Sequence, residues 1–167
     1  MERTQFWAVP GNTCCDAIEG SVSINTRLPT HAVFASACGN DILRGLSSDD
    51  VIRNGKDMID YYSGLWPSTR KVLVDVHPSR VGFANTMKTT TNAALRKYAE
   101  GVGWCTVQTK FVFNKNEGEA ADESQMLTGD NVHYRVPGLN SVEARNLANY
   151  DMNRGIRQKI LDCGVEL

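Results

Sequence analysis

The sequence predicts an α/β fold in which a mainly parallel sheet is covered by helices on both faces. Short apolar runs of strand length alternate along the chain with longer segments whose apolar residues repeat at helical spacing, and this alternation is typical of parallel sheets. The 167 residues fit a single domain, 1–167, that can bury a hydrophobic core. Hydrophobic residues make up 41% and charged residues 22%, so the composition is that of an ordinary globular protein.

Four apolar runs predict the strands of this sheet. They span residues 5–9, 31–38, 71–76 and 104–113. The run HAVFASAC at 31–38 is continuously apolar and is flanked by Pro29 and Gly39, which favours a strand buried on both faces. The carboxyl ends of parallel strands meet at one edge of a sheet, so we expect the residues that follow these runs to converge there.

Helices are predicted between the strands from apolar periodicity and from capping residues. The segments are 13–27, a helix that begins at 47–50 and ends at Pro67, 83–100, and 140–163 with a break at Gly155. Thr13 and Asn12 offer capping side chains to the first helix. The apolar side of the second helix is formed by Val51, Met58, Ile59, Tyr62 and Leu65. Residues 114–129 are polar and are expected to form a loop.

Charge and targeting signals exclude several classes of function. The net charge is −1 and the pI about 6.3, so neither nucleic acid nor an anionic membrane is expected as a partner. No apolar run approaches the length of a membrane span, and no apolar signal-peptide segment follows Met1. The five cysteines lack metal-site spacing and are expected to be free thiols in the cytoplasm or another reducing compartment. We expect no metal and no cofactor.

Asp130 and His133 form the first group of candidate catalytic residues. A histidine that acts as a base needs a partner that fixes its tautomer and stabilises its protonated form, and a carboxylate three residues earlier can supply that contact. The alternative interpretation is a loop histidine beside a surface aspartate.

Residues that follow the predicted strands supply the other candidates. The side-chain amide of Asn40 and the backbone N–H of Gly11 are candidate donors to an oxyanion. The alternatives are ordinary turns at both positions, because Gly-Asn-Asp is common turn chemistry. Asn12, Asp41 and His77 are candidates for lining the same site, although His77 also fits a capping or turn role.

Four segments in this order form a constellation: VPGNT at 9–13, GNDILRG at 39–45, KVLVDVHP at 71–78 and DNVHY at 130–134. Together they resemble the SGNH, or GDSL-type, family of esterases and lipases. The resemblance implies a flavodoxin-like three-layer α/β/α fold. It also implies that the protein hydrolyses a small ester or an acylated carbohydrate or lipid. It further implies that His133 is the catalytic base, that Asp130 orients it, and that Gly11 and Asn40 stabilise the oxyanion.

The sequence departs from the family pattern at two places. Cys38 stands where the family has the first glycine of Gly-x-Asn-Asp. The Gly-Asp-Ser block with the nucleophile belongs a strand and a helix before Gly11, where this sequence has only ten residues. We therefore expect the first central strand to be missing or supplied by another chain or subunit, and the serine to lie outside this sequence.

Other nucleophiles and another function stay open at this point. Gly11-Asn12-Thr13 resembles Gly-Asp-Ser, but its distance to Asn40 matches the family's second block instead. Cys14 and Cys15 lie near a predicted helix start, where a thiol can be activated, although buried helix cysteines are commoner. The alternative to an ester hydrolase is a catalytically inactive pseudoesterase that serves as a binding or assembly module.

Overall fold

The computed structural model describes residues 11–23, 28–35, 37–76, 82–109 and 156–165, and these form a parallel sheet with helices packed on it. The strands are β1 (His31–Ala35), β2 (Arg70–Val74) and β3 (Cys105–Val107). They lie in the order β1-β2-β3, and both pairings are parallel. The predicted α/β class with a mainly parallel sheet is therefore confirmed.

The helices alternate with these strands along the chain. They are α1 (Cys14–Glu19), which continues into a 3₁₀ turn (Gly20–Ser23), α2 (Gly39–Leu43), α3 (Ser48–Leu65), α4 (Gly82–Gly101) and α5 (residues 156–162). The structure bears out the predicted helices at 47–67 and 83–100 closely. It differs at Gly39-Asn40-Asp41, where the turn considered from the sequence is the first part of a short helix. The predicted strand at 5–9, the loop at 114–129 and the helical segment 140–155 lie outside the described residues.

Side-chain caps explain where two of the helices begin. The Thr13 hydroxyl accepts a hydrogen bond from the Asp16 N–H, and the Asp16 carboxylate accepts one from the Thr13 N–H at 2.8 Å, which together form a capping box. Ser47 caps α3 in the same way, because its hydroxyl accepts from the Asp50 N–H at 3.1 Å. Each cap satisfies backbone groups that a helix start leaves without intrahelical partners.

Two hydrophobic clusters lie on opposite faces of the sheet. On one face, side chains from α1, α3 and α4 pack around Leu73 of β2. On the other, Val72 and Val74 of β2 pack with Val107 and with Ile160 of α5. Adjacent residues of a strand point to opposite faces, so β2 contributes to both clusters. The result is the predicted three-layer arrangement of helix, sheet and helix.

Two positions are less buried than the sequence suggested. Val33 of β1 is 38% exposed, although the apolar run predicted a strand buried on both faces. Within the described residues β1 is the outermost strand and pairs with β2 alone. The side of β1 away from β2 is therefore less covered. Leu65 is 43% exposed because it ends α3, whereas the other four predicted core residues of that helix are buried.

The prediction that all five cysteines are free thiols is wrong for two of them. Cys105 of β3 and Cys163, just after α5, form a disulfide with their Cα atoms 5.9 Å apart. The two residues are 58 positions apart in sequence, so no local spacing pattern could indicate the pair. The expectation of a reducing compartment was based on five free thiols, and the disulfide removes two of them. Among the described helices, none has the length and apolarity to cross a membrane.

Candidate active site

The segment before α1 contains the first of the candidate residues. Gly11 has a φ of +81°, in the left-handed region that favours glycine, and it is exposed. A Cβ at this position would meet no atom within 4 Å, so the backbone conformation, and not lack of space, explains the glycine. The Gly11 carbonyl accepts a hydrogen bond from the Arg44 guanidinium at 2.8 Å. This contact ties the segment to the residue that ends α2.

Asn40 connects the two segments that carry the candidate oxyanion donors. Its Nδ2 donates to the Asn12 carbonyl at 2.8 Å, which places the side chain beside the residue that follows Gly11. The helix that carries Asn40 starts at Gly39, where an added Cβ would lie 3.6 Å from the Val76 side chain. Val76 lies just beyond β2, so these residues gather at the carboxyl ends of β1 and β2. This is the edge at which parallel α/β sheets bind their ligands.

Asp41 takes a different position from the lining role considered for it. Its side chain is fully buried, and its carboxylate oxygens accept from the Cys14 N–H at 3.0 Å and from Asn54 Nδ2 at 3.1 Å. Cys14 is the first residue of α1, so the carboxylate satisfies a backbone donor at the helix start. The contacts of Asp41 therefore join α1, α2 and α3.

A pair of buried thiols lies next to Asp41. Cys14 Sγ and Cys38 Sγ are 2.8 Å apart, and both side chains are fully buried. The hydrogen bond with Cys38 and burial both raise the pKa of the Cys14 thiol far above its ordinary value. Cys15 is exposed, and the pKa of its thiol is also raised, chiefly by partial desolvation. A nucleophilic cysteine requires the opposite shift, towards the thiolate.

The same group of residues contains three atoms that could bind a metal ion. The two sulfurs and a carboxylate oxygen of Asp41 all lie within 4.8 Å of one another. No spacing in the sequence indicated this cluster, since Cys14 and Cys38 are 24 residues apart. Only the packing of α1 on the start of α2 brings them together.

The end of β2 is held by two polar contacts that the sequence did not predict. Asn92 of α4 accepts from the Val76 N–H and donates to the Val76 carbonyl, both at 2.9 Å, as a neighbouring strand would. Arg96, one turn further along α4, forms an ion pair with Asp75 at 2.6 Å, in which the carboxylate is buried and the arginine side chain is partly exposed. A small cavity at this edge is lined in part by Cys38, Val76 and Asn92.

The candidate residues are therefore divided by the structure into two sets. Gly11, Asn12, Asn40 and Asp41 come together at the carboxyl edge of the sheet. Asp130, His133 and His77 lie outside the described residues. Their assigned roles stay predictions.

The parallel sheet and its helices give this chain the fold of solved structures of a GDSL-like lipase and an esterase. It is similar to a GDSL-like lipase from Bacteroides thetaiotaomicron, with a TM-score of 0.65 and 19% identity over 93% of this chain and 73% of the lipase. It is also similar to the psychrotrophic esterase EstA from a Pseudoalteromonas species, in a structure inhibited by monoethylphosphonate. There the TM-score is 0.59 and the identity 16%, over 91% of this chain and 74% of the esterase. No protein-family model and no curated protein matches the sequence.

Proposed function

We propose that this chain is an SGNH-type domain that hydrolyses acyl or acetyl esters through an acyl-enzyme. A serine from a segment outside this chain attacks the ester carbonyl, and His133 accepts its proton and then delivers it to the leaving group. Asp130 orients His133 and stabilises its protonated form. The backbone N–H of Gly11 and the side-chain amide of Asn40 stabilise the negative charge on the carbonyl oxygen. The substrate is a small ester or an acylated carbohydrate or lipid.

The hydrogen bond from Asn40 Nδ2 to the Asn12 carbonyl, at 2.8 Å, is the observation that carries this proposal. It fixes the amide next to the segment that contains Gly11, so the two proposed donors belong to adjacent, mutually bonded segments. A side-chain amide has two N–H groups, and this contact uses one of them. Donors that are held before the reaction stabilise developing charge without reorganising, and this is the largest contribution in many acyl-transfer enzymes.

Neither Cys14 nor Cys15 has the properties of a catalytic nucleophile. Cys14 is fully buried, and its hydrogen bond with Cys38 raises its pKa. The exposed Cys15 also has a raised pKa, so neither thiol favours the thiolate that a nucleophilic attack requires.

A second candidate function, a binding or assembly module without catalysis, is favoured by the contacts of Asn40 and Asp41. Asp41 accepts two hydrogen bonds inside the fold, and Asn40 donates one to the main chain. Both residues therefore contribute to the fold and would be retained in a relative that had lost its activity.

Serine labelling by a fluorophosphonate probe distinguishes the two functions. We expect no labelling of the chain alone, and labelling of one serine when the chain is joined to, or mixed with, a polypeptide that carries the Gly-Asp-Ser segment. In that complete form, His133→Ala should lower kcat by about 10⁶-fold and Asn40→Ala by about 10²- to 10³-fold. His31→Ala is the matched control, because His31 lies at the amino end of β1, whereas the candidate site lies at the carboxyl ends of the strands.

Each contrary result has a definite meaning. Labelling of the chain alone would show that the nucleophile lies within this sequence. Failure to label the complete form, while it remains folded, would overturn the hydrolase proposal and leave the binding module.

A further inference from the structure

The buried sulfurs of Cys14 and Cys38 are held close to bonding distance by several contacts between their segments. The Cys14 N–H donates to Asp41 Oδ2 at 3.0 Å, and Cys14 Sγ contacts the Ala37 carbonyl at 3.4 Å. Both of these partners lie within three residues of Cys38. The 2.8 Å between the sulfurs therefore follows from how α1 packs against the start of α2.

We propose that Cys14 and Cys38 form a second disulfide, which joins the start of α1 to the start of α2. The sulfurs are only about 0.8 Å further apart than in a disulfide, whose bond length is about 2.0 Å. The chain already contains the Cys105–Cys163 disulfide, and disulfides form and persist in oxidising compartments. A chain that acquires one such bond passes through conditions that oxidise a second pair of adjacent thiols.

A metal site at the same residues fits the geometry less well. Two thiolates bound to a tetrahedral zinc ion at about 2.3 Å lie about 3.8 Å apart, which is well beyond the separation found here. Both carboxylate oxygens of Asp41 already accept hydrogen bonds from Cys14 and Asn54. A metal ion could therefore use only the lone pairs that these two hydrogen bonds leave on the carboxylate.

The reaction balances with a low-molecular-weight disulfide, such as oxidised glutathione, as the oxidant. One cysteine thiolate attacks a glutathione sulfur, forms a mixed disulfide and releases one glutathione thiolate. The second cysteine thiolate attacks the protein sulfur of that mixed disulfide, forms the Cys14–Cys38 bond and releases the second glutathione thiolate. The two protons lost by the cysteines end on the two glutathione thiols, so the protein gives up two electrons and two protons.

The timing of this reaction follows from burial. Both thiols are fully buried in the folded chain, and burial contributes to the raised pKa of Cys14. Exchange requires an accessible thiolate, so the bond forms while the chain folds and resists reduction afterwards. Cys15, the neighbour of Cys14, is exposed and has no part in the pair.

Counting thiols after oxidative refolding tests the proposal. The reduced, denatured chain is refolded in a buffer of reduced and oxidised glutathione, quenched in acid, denatured and alkylated with a maleimide. We expect one alkylated cysteine per chain, Cys15, where the Cys105–Cys163 bond alone would leave three. Peptide mapping without reduction should recover a fragment that links Cys14 to Cys38. Refolding in dithiothreitol should give five alkylated cysteines.

Two single variants check the assignment. Cys14→Ser should raise the count to two, since Cys38 loses its partner, whereas the matched control Cys15→Ser should lower it to none. Three alkylated cysteines in the glutathione-folded wild type would overturn the proposal, as would a Cys15–Cys38 link. Bound zinc at one ion per chain in that protein, with two thiols released on chelation and three alkylated in total, would overturn it in favour of a metal site. The wild-type count decides the question even where a variant fails to fold.

Discussion

Replacing Asp41 with alanine should destabilise the fold far more than replacing its neighbour Asn40. The change removes the acceptor of two hydrogen bonds, from the Cys14 N–H and from Asn54 Nδ2, and leaves a buried backbone N–H at the start of α1 without its partner. A hydrogen bond to a charged group contributes about 1.5–3 kcal/mol, and the relief of carboxylate burial offsets part of the loss. We expect the free energy of unfolding to fall by about 2–4 kcal/mol. For a chain of this size, that loss lowers Tm by roughly 5–15 °C.

Urea unfolding followed by far-ultraviolet circular dichroism measures this loss. Asn40→Ala removes one hydrogen bond to the Asn12 carbonyl and should cost only about 1 kcal/mol. Asp57→Ala is the matched control, because Asp57 is exposed on α3, and the free energy of unfolding should change by less than about 0.5 kcal/mol. A loss below about 1 kcal/mol for Asp41→Ala, or an equal loss for Asn40→Ala, would refute the assignment of Asp41 to the fold.

Two further predictions concern the capping box of α1 and the two hydrogen bonds between Asn92 and Val76. Hydrogen bonds from the Thr13 backbone N–H and hydroxyl hold the pKa of Asp16 below its ordinary value. The ionised Asp16 carboxylate therefore stabilises the fold fully above its unfolded pKa of about 3.9, and this stabilisation is lost as pH falls through the folded pKa. Asp16→Asn should therefore flatten the acid side of a plot of Tm against pH, between about pH 2 and 5. Asn92→Ala should lower the free energy of unfolding by about 1–3 kcal/mol, because two hydrogen bonds to Val76 are lost.

The controls for these two changes lie on the same elements. An unchanged acid slope in Asp16→Asn would contradict the role given to the capping box, and Thr13→Ala, which removes only the hydroxyl, should reduce the slope in part. Lys97→Ala, at an exposed position of α4, should leave urea unfolding close to that of the wild type. An equal loss of unfolding free energy in Asn92→Ala and Lys97→Ala would mean that the hydrogen bonds between Asn92 and Val76 do not stabilise the sheet.

Local patterns were enough to predict the parts of the fold that local interactions determine. The limits of α3 follow from the Ser47 cap at one end and Pro67 at the other, and the structure has the helix at Ser48–Leu65. The alternation of strands and helices was predictable for the same reason, because periodicity shows which segments carry one apolar face. Gly11 and Asn40 could be placed at one edge of the sheet because each was predicted to follow a strand.

Contacts between distant segments could not be predicted in this way. The Cys105–Cys163 and Cys14–Cys38 pairs depend on how helices pack on the sheet, and no spacing in the sequence encodes that packing. Asp41 was a candidate for lining the site because its segment follows a predicted strand, yet the first turn of α2 directs its carboxylate towards α1. At Gly39-Asn40-Asp41 these tertiary contacts also favour a helix over the turn that the composition suggested.

Because β2 belongs to both hydrophobic clusters, the two halves of the core have limited freedom to unfold separately. Leu73 packs in one cluster and its neighbours Val72 and Val74 pack in the other. β1 and β3 pair with β2 on its two sides. Loss of either helical layer would expose one face of β2, while the other layer still packs against its opposite face. The described part of the chain should accordingly behave as one cooperative unit, with β2 as the element whose opening is the most costly.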